Sequence, residues 1–349
     1  MGRRVILGSA PRRQATIKHR PSTLMQRRTF LKNAVLAVSA ACWTQGAQDW
    51  GSSTPPLSLF KLGAISDGFS QDFEKALRIM KGYGLSWVEI RTLWGKYNTE
   101  LTPEEIRRAK RLLDQYDFKC SVVDSSFYKC DLPGTQPVTR EEGSYFPYSG
   151  QMDLLKRAID RAHAWGTDKV RGFTFWRVAS PTAIYSQISE ELAKAAAVAK
   201  AGGARLVIEN EEACNGATGH ELAAILKMTP LPNLGYNWDV GNGYEHGEVS
   251  YPDGYTALEK SRIWNIHLKG MQCGPGLKEC QETFADAGEI DLVGQLRALL
   301  RDHYNETMSL ECEYSARGMT HQQTTERSMQ GLLRVLSAVE ESRVEKSRS

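Results

Sequence analysis

Short apolar segments and amphipathic segments alternate along the chain from about residue 58 onwards. The apolar segments have the length and the β-branched and aromatic content of buried strands. Strands that alternate with helices are parallel, and eight such units close most naturally into a barrel. We therefore predict an α/β fold, a single-domain (β/α)8 TIM barrel, with strands at residues 59–65, 86–91, 118–124, 168–176, 204–209, 233–239, 262–268 and 307–314.

The segments between these strands carry recognisable helix signals. Thr102, Pro103 and Glu105 form a capping box with proline at the first helical position. Apolar stripes run through residues 154–162 and 192–201, and the second stripe ends at Gly202-Gly203. A doubly wound open sheet is the alternative architecture. No G-x-G-x-x-G motif follows the first strand, which argues against a dinucleotide-binding version of that sheet.

The first 53 residues differ in composition from the rest of the chain. MQRRTFLKNAVLAVSAAC, which starts at Met25, places two arginines before a short apolar run and ends in small residues. This order is typical of an export signal, and the run is too short to span a membrane. RRTFLK resembles the twin-arginine motif of proteins that are exported after folding. A basic amphipathic helix on the domain surface is the alternative.

The signal divides the chain and predicts where the protein works. We expect passage through the twin-arginine export machinery and a periplasmic location in a bacterium. The domain boundaries that follow are a signal with its linker at 1–53, the barrel at 54–343 and a disordered tail at 344–349.

Most of the positive charge belongs to the predicted signal. Residues 1–53 hold nine Lys or Arg and one Asp, a net charge of +8, whereas the whole chain has +3, which leaves −5 for the remainder. A mildly acidic domain without a basic stripe argues against a nucleic-acid partner. A small-molecule substrate fits this composition better.

The seven cysteines leave one question open. They contain no C-x-x-C pair of the kind that holds structural zinc. Cys273 and Cys280 bracket the loop CGPGLKEC and could form a disulfide in an oxidising compartment. A protein that folds before export meets a reducing cytoplasm first, so the sequence allows either state.

Four consecutive predicted strands carry metal-binding residue types at or near their ends. The fifth ends at Glu209, the sixth at Asp239, the seventh carries His267 and the eighth carries Glu311. In a barrel these ends meet at one rim, where active sites are built. Three carboxylates and an imidazole suit one divalent ion, namely Mn²⁺, Mg²⁺, Co²⁺, Fe²⁺ or Zn²⁺.

The motifs LVIENE, NWDVGN, NIHLKG, AGEID and MSLECEY, in this order and spacing, resemble the sugar phosphate isomerase/epimerase superfamily of xylose isomerase-like barrels. The resemblance runs from about Leu57 to Leu336. It implies a carbohydrate substrate, homo-oligomers as a common arrangement, and metal ligands at Glu209, Asp239, His267 and Glu311.

The departures from related zinc AP endonucleases limit what the resemblance implies. Those enzymes have a His three residues after the sixth-strand Asp, where this chain has Asn242, and an Asp-x-His after the seventh strand, which is missing between Gly270 and Leu292. A three-metal phosphodiesterase site therefore cannot be assembled, and one metal is expected.

One metal between two glutamates suits proton transfer next to a carbonyl. If Glu209 removes a proton and Glu311 returns one to the opposite face, the reaction is an epimerisation. Return to the neighbouring carbon gives isomerisation, and loss of a β-hydroxyl gives dehydration by a lyase. A hydrolase acting on a glycoside and a catalytically inactive sugar-binding barrel are the further alternatives. Without a glycine-rich phosphate cradle, a neutral sugar, polyol or keto-glycoside is favoured over a sugar phosphate.

Three further residues are candidate substrate contacts. Lys269 shares strand parity with His267 and could bind an oxyanion, although a solvated surface lysine fits equally. Glu89 could bind substrate hydroxyls, or it could form a structural ion pair with Arg91 or another barrel residue. Asn242 replaces a His with which some keto-sugar epimerases of the superfamily hold their substrate.

Overall fold

The computed structural model describes residues 57–141, 146–275 and 278–348. The twin-arginine motif and the predicted boundary at residue 53 lie outside these ranges. The described residues contain twelve strands: β1 (Lys61–Ala64), β2 (Trp87–Ile90), β3 (Thr92–Leu93), β4 (Lys96–Tyr97), β5 (Lys119–Phe127), β6 (Lys169–Gly172), β7 (Arg205–Glu209), β8 (Leu234–Asp239), β9 (Ile263–Leu268), β10 (Gly270–Gly274), β11 (Lys278–Thr283) and β12 (Thr307–Leu310).

Eight of these strands form one parallel sheet in the order β1-β12-β9-β8-β7-β6-β5-β2. A parallel bridge between Ile65 and Glu89 joins the two outer strands, β1 and β2, and so brings the sheet around into a barrel. Gly63 permits this contact, because a Cβ at Gly63 would lie 2.7 Å from the carbonyl oxygen of Trp87. The predicted (β/α)8 barrel is confirmed.

Three strand ends differ from the prediction by three residues or more. β5 continues to Phe127 rather than ending at residue 124. β6 ends at Gly172 rather than at residue 176, and β12 ends at Leu310 rather than at residue 314. Beyond Gly172 the backbone turns away from the extended conformation, with Phe175 in the left-handed region at φ 61°. The Phe175 amide donates to the carbonyl of Tyr128 in the loop after β5, so Phe173 to Trp176 form the rim of the barrel.

Helices alternate with the barrel strands and cover them from outside. Their bounds are α1 (Phe73–Gly82), α2 (Pro103–Tyr116), α3 (Gln151–Trp165), α4 (Tyr185–Ala201), α5 (Gly219–Lys227), α6 (Tyr255–Ala257), α7 (Leu292–Arg301) and α8 (His321–Arg348). The capping box of α2 is present: the Glu105 amide donates to Thr102 Oγ1 at 3.3 Å, and the Thr102 amide to Glu105 Oε2 at 2.8 Å. Gly202 is the C-cap of α4.

The last helix reaches further than the sequence prediction allows. α8 continues to Arg348, through most of the segment 344–349 that composition assigns to a disordered tail. Glu, Lys and Arg are good helix formers, so a charged C-terminal segment is compatible with both states. No helix in the described ranges is long and apolar enough to cross a membrane.

Two short hairpins stand at the carboxyl ends of the barrel strands. β3 pairs with β4 directly after β2, and β10 pairs with β11 after β9. A disulfide between Cys273 and Cys280 links β10 to β11, which is the oxidised alternative that the sequence left open. The remaining described cysteines, Cys120, Cys130, Cys214 and Cys312, are buried and free.

Candidate metal centre and active site

The four predicted ligands meet at the carboxyl end of the barrel. Glu209 ends β7, Asp239 ends β8, His267 lies in β9 opposite Asp239, and Glu311 follows β12 directly. One ligand atom from each of the four lies within 4.8 Å of the other three. His267 Nδ1 is the common point, at 3.2 Å from Glu209 Oε1, 3.0 Å from Glu311 Oε2 and 3.7 Å from Asp239 Oδ2.

The opposite ring nitrogen of His267 is fixed by Glu89. Nε2 lies 3.0 Å from Glu89 Oε1, and the side-chain Nδ2 of Asn265 donates to Glu89 Oε2 at 3.0 Å. With the Nε2 proton directed at Glu89, Nδ1 faces the ligand set, and a metal ion that displaces the Nδ1 proton would gain its lone pair, as in other carboxylate–histidine–metal arrangements. Glu89 is fully buried behind the imidazole. This position fits orientation of His267 better than the predicted contact with substrate.

The donor atoms of this set fit a divalent ion. His267 Nδ1, Asp239 Oδ2 and Glu311 Oε2 are buried and lack a hydrogen-bond partner within the described part of the chain. Buried polar atoms without a partner are costly, and a bound cation would satisfy all three together. A second group, Glu89, Asp124 and His267, also brings ligand atoms together, but it offers one donor fewer and uses the nitrogen that Glu89 already binds.

Backbone amides hold the Asp239 carboxylate in place. Asp239 Oδ1 accepts from the amides of Gly241 at 2.7 Å and Asn242 at 2.9 Å. The Asn210 side chain clamps the same strand end, since its Oδ1 accepts from the Asp239 amide and its Nδ2 donates to the Asp239 carbonyl. These bonds occupy one carboxylate oxygen and leave Oδ2 directed at the ligand set.

Two arginines bind the outer oxygens of the two glutamates. Arg171 Nη1 lies 2.9 Å from Glu209 Oε2, and Arg91 Nη1 lies 3.1 Å from Glu311 Oε1. Arg91 is itself held by a bidentate pair with Asp67, at 2.9 and 3.0 Å. Arg171 also pairs with Asp124 at 3.3 Å. Sequence reasoning missed both roles, because the partners lie on other strands and no local motif marks them.

These cations control the charge of the site. Burial alone would raise the pKa of Glu209, but Arg171 and His267 hold it below its usual value. Burial also acts against ionisation of Glu311, yet Lys269, His267 and Arg91 hold its pKa well below the usual range. The pKa of His267 is raised well above its ordinary value, because the surrounding carboxylates outweigh the effect of burial. Both glutamates are therefore carboxylates at neutral pH.

Lys269 and Asn242 lie beside the ligands. The Lys269 side chain is buried, and its ammonium is 3.0 Å from Asp239 Oδ2 and 2.9 Å from Glu311 Oε2. It also donates to Asn242 Oδ1 at 3.3 Å, while Asn242 Nδ2 donates to the Asn210 carbonyl at 2.8 Å. The alternative of a solvated surface lysine is wrong for Lys269.

The sequence of this chain matches the model of the xylose isomerase-like TIM barrel family over residues 77–336, which is more than half of its length. The chain belongs to this family. No curated protein sequence is significantly similar to it.

Solved structures place this family member among barrels of the same fold. A D-tagatose 3-epimerase-like protein superimposes with a TM-score of 0.61 at 17% identity, covering 81% of this chain and 99% of the other. The IOLI protein, solved with a binding zinc atom, gives 0.61 at 15% identity, with coverages of 80% and 98%. The probable 3-DHS dehydratase AsbF from Bacillus anthracis gives 0.60 at 12%, with 78% and 98%. At these identities the similarity establishes the fold.

A second acidic group in this family member is paired with a lysine. Glu141, Glu211 and Glu212 bring carboxylate oxygens together next to the ligand-bearing strand β7. Lys129 Nζ lies 2.7 Å from Glu141 Oε1 and 3.2 Å from Glu211 Oε2. Glu212 is half-buried rather than fully solvated, and burial raises its pKa.

A hydrogen-bonded chain runs below the ligands through the barrel. Asn265 joins Glu89 to Thr307, whose Oγ1 donates to Asn265 Oδ1 at 2.7 Å. Lys169 Nζ donates to Thr307 Oγ1 at 2.7 Å and to the Trp264 carbonyl at 2.9 Å.

Lys169 borders a cavity of about 520 Å³ at the amino-terminal face. That cavity lies away from the carboxyl ends where the ligands meet, so we place the chemistry at the ligands.

Proposed function

We propose that this protein is a divalent-metal-dependent isomerase or epimerase that moves a proton next to the carbonyl of a small sugar or polyol. One observation carries the proposal. Glu209 and Glu311 come from strands that flank β8 and β9 in the sheet, and each turns one carboxylate oxygen toward His267 Nδ1. Two carboxylates on either side of one ion provide the groups that proton removal and proton return require.

The ligand set assigns a separate task to each residue. Glu209 Oε1, Asp239 Oδ2, His267 Nδ1 and Glu311 Oε2 would hold the ion. When bound, a divalent ion supplies positive charge that polarises a carbonyl and an adjacent hydroxyl. Glu209, kept ionised by Arg171, is the proton acceptor in this proposal, and Glu311 is the second exchange group.

The charge around the ligands supports an uncharged substrate. Arg91, Arg171 and Lys269 are each paired with carboxylates, so none of these three cations is available to bind a phosphate. A phosphate group would also meet the negative charge of Glu313 at the same rim. The predicted export signal belongs to the same proposal, because sugar phosphates are mainly cytoplasmic metabolites.

Solvent exchange tests this function. We expect the protein with Mn²⁺ to incorporate deuterium from D2O into a carbon-bound position of a neutral keto-sugar. Glu209→Gln and Glu311→Gln should each reduce turnover by about 10²-fold or more, as expected for loss of a general acid or base. A folded, metal-loaded protein that releases product from a glycoside without exchange would instead be a hydrolase.

Dehydration is the second candidate, and Glu212 favours it. A half-buried carboxyl with a raised pKa keeps its proton more readily and can protonate a leaving hydroxyl. The similarity to the AsbF structure points in the same direction. Mass spectrometry separates the two candidates, since a lyase product has lost one water and an epimer has the mass of its substrate.

A further inference from the structure

Lys269 places a positive charge inside the site that we propose binds a metal cation. Its ammonium lies within 3.0 Å of Asp239 Oδ2 and Glu311 Oε2, two of the four atoms that would hold the metal. The side chain is only 4% exposed, so solvent does little to screen this charge. Lys269 and a metal ion therefore draw on the same two oxygens.

The contact between Lys269 and the two carboxylates is electrostatic rather than a directed hydrogen bond. Within the described residues neither Asp239 Oδ2 nor Glu311 Oε2 accepts a well-aligned hydrogen bond, although both lie at hydrogen-bond distance from the ammonium. Both oxygens also face His267 Nδ1, at 3.7 Å for Asp239 and 3.0 Å for Glu311, so the ammonium shares them with the rest of the ligand set. A lysine that served only to orient these oxygens would be expected to donate along their lone pairs.

Gly241 provides the space through which the lysine stem passes. A Cβ at Gly241 would lie 2.6 Å from Lys269 Cδ and 2.8 Å from Lys269 Cγ, closer than any normal contact. The backbone of Gly241 itself does not require glycine, because its φ of −102° and ψ of −38° suit any residue. Any larger side chain at position 241 would push the lysine stem aside.

We propose that Lys269 is a built-in competitor of the metal ion, and that its ammonium sets the affinity of the site. Before an ion binds, the ammonium offsets part of the negative charge of Asp239 and Glu311. A bound ion would meet the repulsion of this buried positive charge, so the protein binds metal less tightly than its four ligands alone would allow. The proposal rests on the proposed metal-dependent function and concerns its regulation.

Metal titration of Lys269→Met tests the proposal, with the affinity for Mn²⁺ measured from the electron paramagnetic resonance signal of the free ion. Removal of the charge should tighten Mn²⁺ binding by about tenfold or more, because a repulsive charge in the ligand shell is lost. Lys269→Arg, which keeps the charge, should stay close to the wild type. Gly241→Ala should also tighten binding, because it displaces the lysine without removing its charge.

The thermal stability of the metal-depleted proteins is a second readout. In EDTA, Lys269→Met should melt below the wild type, because Asp239 and Glu311 lose their counter-charge, and excess Mn²⁺ should close this gap. Lys129→Met is the matched control. Lys129 is a half-buried lysine paired with two glutamates, and its contacts do not include the four ligands. Its loss should leave the Mn²⁺ affinity within about twofold, since a charge beyond the ligand shell is screened more strongly.

The outcomes separate this inference from the proposed function. If folded Lys269→Met and Gly241→Ala bind Mn²⁺ as the wild type does, or more weakly, Lys269 supports the ligands and the inference is wrong. If the wild type and every variant fail to bind Mn²⁺, Zn²⁺ or Mg²⁺, the metal-dependent function itself is wrong.

Discussion

Glu89 controls which nitrogen of His267 faces the ligand set. Its carboxylate is fully buried, and its pKa is lowered to about 2: burial alone would raise it, but the contact with His267 prevails. A charged acceptor on Nε2 makes Nδ1 a stronger donor to a metal ion. Glu89 is therefore a positioning residue that acts through the imidazole.

Glu89→Gln tests this role. The glutamine side chain accepts a weaker hydrogen bond from His267 than the carboxylate does, and the substitution removes one negative charge below the site. We therefore expect the metal affinity to fall by about tenfold or more. Mn²⁺ titration measures the change, and circular dichroism checks the fold. Glu104→Gln, at an exposed glutamate of α2 that pairs only with neighbouring arginines, is the control. Equal Mn²⁺ affinity in Glu89→Gln and wild type would exclude this positioning role.

The contrast between Arg171 and Asp239 shows what can be predicted at the residue scale. Asp239 ends a strand, and the carboxyl ends of parallel strands converge, so its position in the chain predicts its place in the site. Arg171 lies within a strand, where a charge is expensive to bury unless partners compensate it. Those partners, Glu209 and Asp124, come from β7 and β5. A single sequence does not pair side chains across strands. The suggested structural partner of Glu89 is therefore not the nearby Arg91 but another barrel residue, His267 of β9.

The hairpin of β10 and β11 is the element that brings a further carboxylate to the rim of the site. The Cys273–Cys280 disulfide ties its two strands together. Glu282, on β11, accepts from the amide of Glu313 at 2.9 Å. Burial raises the pKa of Glu282 to about 8, against the opposing effect of Lys269. The folded hairpin thus holds a proton that the unfolded chain would release at a lower pH.

Glu282 should make the protein less stable as the pH rises. Between about pH 4.5 and 8 the unfolded chain has lost this proton and the folded chain keeps it, so the free energy of unfolding falls with pH. Glu282→Gln removes this titration. Between pH 5 and pH 8.5 the unfolding free energy of the variant should rise relative to that of the wild type by about 2 kcal/mol. This figure starts from about 1.4 kcal/mol per pKa unit and is reduced because Glu282 is partly exposed.

Urea unfolding in EDTA at the two pH values measures this difference without interference from metal binding. Glu279→Gln, at an exposed glutamate of the same strand, controls for removal of charge from the hairpin. Parallel pH dependence of the Glu282→Gln variant and the wild type would contradict the assignment.

At the scale of the whole molecule, the barrel closes through a close approach between two backbones. The sheet meets itself between β1 and β2, where Gly63 packs against the Trp87 carbonyl. The pattern of strands predicts a barrel, but it does not reveal which two strands close it. A glycine in a short strand can serve several structural purposes, so Gly63 alone does not mark the place. Only the assembled sheet shows that Gly63 gives the two strands room to meet.

Gly63→Ala tests the contact between β1 and β2 that closes the barrel. The added methyl would lie 2.7 Å from the Trp87 carbonyl oxygen and 2.9 Å from its carbon, and a backbone cannot yield as a flexible side chain does. We expect a loss of about 3 kcal/mol in unfolding free energy, the upper part of the range for overpacking. Urea denaturation measures it. Gly82→Ala, where a Cβ meets nothing within 4 Å, should be neutral or stabilising.

The hydrogen-bonded chain from Lys169 through Thr307 and Asn265 to Glu89 also bears on how such a protein diversifies. It anchors His267 from beneath, through side chains that lie deeper in the barrel than the ligands. The loops above the ligands are therefore free to accumulate changes without disturbing how His267 is held. New substrates can arise by remodelling those loops alone, whereas a change at Asn265 or Thr307 would alter the chemistry for every substrate at once.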